Sequence, residues 1–210
     1  MHTNEKSRNL KWENKVLVVD DILTNEQQDY LKRILLSSEF PWFYTPDITG
    51  DHSRDWRPAF NHYLVDDGII KVGGKPLSLL QELINNCLSK LYQEFNAKTN
   101  YELFRMRTFL QMPLANLVGS KRDTHHVDFY EERHLSILYY VFDADGDTII
   151  FENMYHPDHP EIPELNELKV KKKVTPKQGR VVIFDGYHWH TGTQPQKGMR
   201  CVINSNVLQK

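Results

Sequence analysis

Residues 176–206 read PKQGRVVIFDGYHWHTGTQPQKGMRCVINSN. Two β-rich runs, Arg180–Phe184 and Met199–Leu208, frame a shorter one at Trp189–Thr191. Glycine, proline and polar residues separate them, as turns separate short strands. The same texture extends back toward the N-terminus through Leu168–Val174, Asp147–Phe151, His134–Phe142, His126–Phe129 and Tyr101–Met112. Eight short strands in succession predict a sandwich or barrel, and a double-sheet jelly roll is the eight-stranded form of that architecture. The proline-rich stretch Asn153–Asn166 reads as a loop inserted between strands.

Residues 1–100 are helical and mixed in character. Lys15–Asp20 (KVLVVD) is a short β-rich run. Thr24-Asn25-Glu26-Gln27 has the form of a capping box and predicts a helix burying Leu31, Ile34 and Leu35. A second helix is predicted from near Pro76 to about Phe95. Leu80, Ile84, Cys87, Leu88, Leu91 and Phe95 recur there at helical spacing. Between the helices, 41–58 reads as a long loop, with or without a short strand, rich in aromatic residues, Pro, Asp and Arg, such as lids and binding elements use. Its Trp42, Phe43, Tyr44, Asp47, Arg54, Trp56 and Arg57 are the residues expected to meet a substrate. The fold class expected is α+β, mainly β: a double-stranded β-helix (jelly roll) core in 101–210. Helices, strands and a substrate loop in 1–100 support it, all in one domain over 1–210.

The chain has 210 residues, enough for one domain with a sizeable core. A net charge of −2 argues against a dedicated nucleic-acid binder. Cys87 and Cys201 are the two cysteines, read as free thiols in a reducing compartment. The polar N-terminus lacks an apolar signal region, and no run approaches the roughly 18 apolar residues of a membrane span. These features predict a cytoplasmic protein, or host cytoplasm if the source is viral. Oligomeric state leaves no mark in the sequence.

His126-Val127-Asp128 carries the chemistry. Non-haem iron sites use two histidines and one carboxylate on one face of the metal. Residues two apart on a strand point the same way, so His-x-Asp can deliver two of the three together. The triplet alone is weak. With ten histidines in the chain, about 0.7 such triplets arise by chance. A second one, His156-Pro157-Asp158, sits among prolines, where a rigid ligand pair has little support.

The region downstream supplies the context. His126-Val-Asp128 is followed by Ser136-Ile-Leu-Tyr139-Tyr140, Gly146-Asp147-Thr148, Pro176-Lys-Gln-Gly179 through Phe184, then His190, then Arg200. In this order and spacing the chain resembles the Fe(II)- and 2-oxoglutarate-dependent oxygenase superfamily, and within it the prolyl-hydroxylase-like branch. The resemblance covers about Tyr101–Val207. The Phe-Asp-Gly and Arg-Cys-Val-Ile-Asn-Ser-Asn stretches look like phage-type members of that branch.

The resemblance implies iron ligands at His126, Asp128 and His190. His188 shares the strand parity of His190, and the family spacing to the basic residue selects His190. His188 is then a supporting or surface histidine, and His125 a packed or solvated one. Arg200 is implied as the clamp on the far (C5) carboxylate of 2-oxoglutarate. A guanidinium suits that task because it can make two parallel hydrogen bonds to a carboxylate. Tyr140 and Thr148 are implied to line the same pocket. Gln111, before Met112-Pro113, is placed in the co-substrate pocket where the family often carries a tyrosine, a departure that leaves the usual phenol contact to the co-substrate open. Alternation from Arg200 puts Val202, Asn204 and Asn206 on its face, and the two amides are expected to line the cavity.

The implied cofactors are Fe(II), 2-oxoglutarate as co-substrate, and O2, with ascorbate as an optional reductant. An aspartate at 128 fits hydroxylation or demethylation better than halogenation, which needs a small residue there. The implied reaction is hydroxylation of an aliphatic C–H, first a prolyl residue in a protein or peptide. A small molecule such as a free amino acid is the alternative substrate, and an extra acid–base pair in the cavity would favour it. A nucleobase demethylase would carry paired arginines after the distal histidine, where this chain has Arg200. A metal-free jelly-roll binding module is the non-enzymatic alternative.

Overall fold

The computed structural model describes residues 14–48, 57–71, 75–97, 100–114 and 122–209. In chain order the elements are β1 (Val16–Val19), α1 (Asn25–Leu35), β2 (Phe43–Thr45), β3 (Ala59–Asp66), β4 (Ile69–Ile70), α2 (Lys75–Phe95) and β5 (Tyr101–Gln111). They continue as β6 (His134–Tyr140), β7 (Thr148–Met154), β8 (Val170–Val174), β9 (Val181–Asp185), β10 (His188–Gly192) and β11 (Arg200–Gln209). The major sheet runs β1-β9-β6-β11-β5-β3-β2, with β4 on β3, and the minor sheet runs β10-β7-β8. Each of these pairings is antiparallel. This is the jelly roll expected.

The centre of the major sheet is buried on both faces, which explains why β6 exposes nothing. Leu135, Ile137 and Tyr139 face a core shared with Leu31 and Leu35 of α1 and Leu80, Leu83, Ile84, Cys87 and Leu91 of α2. Leu138 and Tyr140 face the other way, into a core with Ile150 and Val174 of the minor sheet. Burial contributes about 1.5–3 kcal/mol for each such large apolar side chain. A third cluster, Val127, Ile149, Phe151 and Trp189, lies on the minor sheet.

Helix α1 begins as its sequence dictates. Thr24 Oγ1 accepts from the Gln27 backbone N–H, and Gln27 Oε1 accepts from the Thr24 N–H, a reciprocal capping box. Leu31 and Leu35 are buried, while Ile34 is half-buried. Gly179, at φ +78°, takes a left-handed turn before β9, and a Cβ there would collide with Gln28 of α1. Cys87 and Cys201 are free and buried, and burial pushes both thiols up to about 12. No helix among the described residues is long and apolar enough to cross a membrane.

Two expectations need correction. His126–Phe129 is not a strand. It makes a single bridge, His126 to His190, and then bends. Val127 packs into the cluster on the minor sheet, so the segment lacks a continuous partner row. Conversely, β3 and β4 fill 59–70, where the sequence reading assigned no element. Asn61, His62 and Tyr63 interrupt the apolar pattern of β3, which masks its strand character. Within the expected loop, β2 is a short strand at Phe43–Thr45 that pairs with β3. Arg54 and Trp56 lie outside the described residues.

Asp20, just after β1, ties that edge strand to β9. Arg180 donates to both its oxygens, at 2.7 and 2.9 Å, and Lys177 donates at 3.2 Å. The Arg180 hydrogen bond, opposed by burial and helped by Lys177, holds the Asp20 carboxyl down to about 2. Its folded pKa lies below the unfolded value of 3.8, so its stabilisation is full above pH 3.8 and is lost as pH falls toward 2. The pair is partly solvated, which limits it to about 1 kcal/mol. Asp20→Asn is expected to lower the melting temperature by about 2–4 °C at pH 7, with the gap to the parent protein closing below about pH 3, as read by thermal denaturation across pH.

Candidate active site

His126 and His190 come from opposite ends of the jelly-roll sequence, and the backbone fixes their distance. His126 N–H donates to His190 O at 2.9 Å, and His190 N–H donates to His126 O at 3.0 Å. Asp128, two residues on, turns back to the same point. One ligand atom from each of His126, Asp128 and His190 lies within 4.8 Å of the other two, which could hold a metal ion. Among the described residues no other such group occurs.

The donor set suits a divalent cation. His126 Nδ1 lies 3.0 Å from Thr124 O, and His190 Nδ1 lies 2.9 Å from His188 O. A carbonyl only accepts, so each Nδ1 carries a proton, and in the neutral ring each Nε2 presents its lone pair to a metal. Burial, together with the nearby His190, holds the His126 imidazole down to about 4, so the ring is neutral, as a ligand must be.

Asp128 is the most heavily held side chain of the site. Its carboxylate is shielded from solvent. Arg107 donates to Oδ1 at 2.7 Å and Asn204 to the same oxygen at 2.9 Å. Ser136 Oγ donates to Oδ2 at 2.9 Å and Asn206 Nδ2 at 3.0 Å. Burial alone would raise this carboxyl, but His190, Arg107 and His126 outweigh it and hold it well below the usual range. The two inward amides of β11 are therefore engaged on Asp128. Asn204 also lines the cavity.

Arg200 lies at the other end of that cavity, buried at 6% exposure. Its Nε donates to Gly146 O at 2.8 Å, one terminal nitrogen to Gln111 Oε1 at 2.7 Å and the other to Thr148 Oγ1 at 2.9 Å. All three acceptors are neutral, so the positive charge remains available to an anion. Tyr140 O–H donates to Thr148 Oγ1 at 2.7 Å, and burial raises that phenol, keeping it protonated. Thr148 thus accepts twice and retains its own hydroxyl proton to give. Gly146 is a glycine for reasons of space: a Cβ there would stand 2.5 Å from Thr193 O and 2.9 Å from Arg200 Cδ.

The cavity joining the two ends has a volume of about 450 Å³. Arg200, Thr148 and Gln111 line one end, His126, Asp128 and His190 the middle, and Thr45, Asp47, Asn61 and Tyr63 the mouth. Of the expected substrate-loop residues, Asp47 lines it, Phe43 and Tyr44 are exposed beside it on β2, and Trp42 packs inward, its indole N–H donating to Leu35 O at 2.9 Å. Arg57 is buried beneath the wall, 3.8 Å from Asp123.

Other sequence candidates fall elsewhere. His188 is fully buried, which removes the surface reading, and contributes its carbonyl to His190. His125 is packed against Trp189 and lies 2.8 Å from Pro163 O, anchoring the proline-rich loop. His156 and Asp158 sit exposed in that loop. Arg107, Asp123, Ser136 and Gln194 were not singled out from the sequence. Arg107 was accessible, since it shares strand parity with Gln111, and a cation at an inward barrel position is a signal in itself.

A family model described as the 2OG-Fe(II) oxygenase superfamily matches residues 113–208. Match and site together indicate a dioxygenase. Fe(II), 2-oxoglutarate and O2 are the cofactors that go with it. No curated protein matches by sequence. Among solved structures, the fold is similar to a 2OG-Fe(II) oxygenase family oxidoreductase from Burkholderia pseudomallei. The TM-score is 0.66 at 13% identity, over 92% of this chain and 84% of that one. It is also similar to a Trichoplax adhaerens prolyl hydroxylase in complex with a hypoxia inducible factor peptide fragment (TM-score 0.60, 13% identity, 93% and 84% covered). A third is the alpha-ketoglutarate-dependent epimerase SnoN from nogalamycin biosynthesis (TM-score 0.65, 13% identity, 93% and 79% covered).

The grip on Asp128 generates a test. Asn206→Ala removes one donor from a buried carboxylate and leaves the three candidate ligands in place. Mn(II) affinity, measured by calorimetry, is expected to fall about tenfold or more. An unchanged affinity would mean that Asp128 is oriented without Asn206.

Proposed function

We propose that this protein hydroxylates an aliphatic C–H, with Fe(II) held by His126, Asp128 and His190 and the C5 carboxylate of 2-oxoglutarate held by Arg200 and Thr148. The observation that carries the reading is the pairing, in one cavity, of two bare imidazole Nε2 atoms and a carboxylate with a buried arginine whose hydrogen bonds go to neutral groups. None of the Arg200 hydrogen bonds goes to a carboxylate, and a co-substrate carboxylate would supply that direct partner. Bound there, the iron and co-substrate would supply the electrons that activate O2 to oxidise a C–H bond.

The chain's own groups supply position and protection. Arg200 offers two-point hydrogen bonding, and Thr148 adds its hydroxyl proton. Asp128, pinned by Arg107, Asn204, Ser136 and Asn206, keeps a fixed direction toward the metal. Leu138, Val202 and Phe109 line the space between and keep it apolar. Tyr63, Tyr130 and the segment around Asp47 frame the mouth by which the substrate enters.

A prolyl residue in a peptide is the first substrate class, on the resemblance to the prolyl-hydroxylase-like branch. The exposed aromatics Phe43 and Tyr44 beside the mouth offer a peptide a surface to lie on. A small polar molecule is the second. Asp47, Asn61, Tyr63 and Arg107 give the mouth and cavity wall several hydrogen-bonding groups of the kind that orient such a ligand.

Incubation with prolyl peptides and with free amino acids, followed by mass spectrometry, distinguishes the two by which pool gains one oxygen. In parallel, Mn(II) plus an unreactive 2-oxoglutarate analogue is expected to raise the melting temperature by about 5–10 °C at about 100-fold excess over Kd. His126→Ala is expected to abolish that shift. No shift in the parent protein, or an equal one in the variant, would sink the iron–oxygenase reading.

A further inference from the structure

The wall beside Arg200 carries a carboxylate with no part in the site described above. Asp123 lies three residues before His126, with its side chain 8% exposed. The backbone is pinned to β10 at both ends: Asp123 N–H donates to Gly192 O at 2.9 Å, and Thr191 O–H donates to Asp123 O at 2.6 Å. The carboxylate accepts from Gln111 Nε2 at 3.0 Å and from Gln194 Nε2 at 2.9 Å, and Arg57 stands 3.8 Å away.

These contacts fix a direction. A carboxylate only accepts, so Gln111 must turn its NH2 toward Asp123 and its carbonyl the opposite way. That carbonyl receives Arg200 at 2.7 Å. With the amide reversed, Gln111 would aim a donor at a guanidinium, which has nothing to accept it. Asp123 and Arg200 thus hold Gln111 in one orientation from its two ends, and Asp123 anchors the end away from the clamp. The same residue reaches Arg57, whose carbonyl accepts from Ile48 N–H at 3.1 Å where the chain re-enters the sheet.

We propose that Asp123 is a positioning residue for the distal carboxylate of the co-substrate, acting through Gln111 on Arg200, and so a determinant of the preference for a dicarboxylic 2-oxo acid. The proposal rests on the reading of Arg200 as the clamp. Asp123 touches neither metal nor co-substrate in this scheme; its effect is on how well the clamp is aimed.

The test compares the parent protein with Asp123→Asn and Gln111→Met. Mn(II) binding is measured by calorimetry. With Mn(II) saturating, binding of 2-oxoglutarate and of 2-oxobutyrate, which lacks the distal carboxylate, is then measured. In both variants 2-oxoglutarate affinity is expected to fall about tenfold. Affinity for 2-oxobutyrate and for Mn(II) is expected to stay within about twofold, so that the preference between the two acids shrinks. Turnover by Asp123→Asn is expected to show the same division, with KM for 2-oxoglutarate raised and kcat at saturation nearly kept. Undiminished preference for 2-oxoglutarate in either variant overturns the proposal. So does a parallel loss of Mn(II) affinity, which would mark a general structural defect. If the parent protein itself binds Mn(II) but does not distinguish the two acids, the clamp reading fails first, and the proposal with it.

Discussion

A negative charge enclosed by protein organises this molecule. The Asp128 carboxylate has left water entirely and has to be compensated where it stands. Its four donors come from three neighbouring strands of the major sheet: Arg107 from β5, Ser136 from β6, and Asn204 and Asn206 from β11. Each of these strands must keep its register for its donor to arrive, because a slip of one residue turns every side chain to the other face. The carboxylate and the sheet thus specify each other. A cation placed between Asp128 and the two imidazoles completes the balance.

Around that charge the fold separates two kinds of packing. The outer face of the major sheet meets α1 and α2 through an apolar core rich in leucine and isoleucine. The inner face mixes apolar residues with the polar groups of the site. Alternation along β11 assigns Cys201 and Ile203 to the first and Arg200, Val202 and Asn204 to the second. The helices therefore make the inner polarity tolerable, since apolar burial on the far side offsets the desolvation of the site.

Much of this was legible in the sequence because short-range rules carried it. The Thr24–Gln27 box starts α1 where expected, and the strands from Tyr101 onward, His126–Phe129 apart, differ from expectation by a few residues at their ends. His126, Asp128, His190, Thr148, Gln111 and Arg200 converge on one cavity, and Tyr140 reaches it through Thr148. What the sequence concealed depended on long-range contacts. The strand β3 exists because β5 and β2 accept it, despite a polar interruption. Asp123 has no periodicity to announce it, and only the fold brings Gln111 and Gln194 to its side. Asn204 was read as lining the cavity, which it does, but its hydrogen bond to Asp128 lay hidden behind two chain segments separated by 76 residues.

The reciprocal backbone bonds between His126 and His190 have a further consequence. Each imidazole is mounted on a peptide unit already tied to the other, by bonds that involve no metal. The spacing of the pair is thus set by the chain's own backbone hydrogen bonds. Many small metalloproteins fold around their ion because their ligands scatter without it. On the proposed reading, loading a metal here would instead be an encounter with a frame that the backbone already holds.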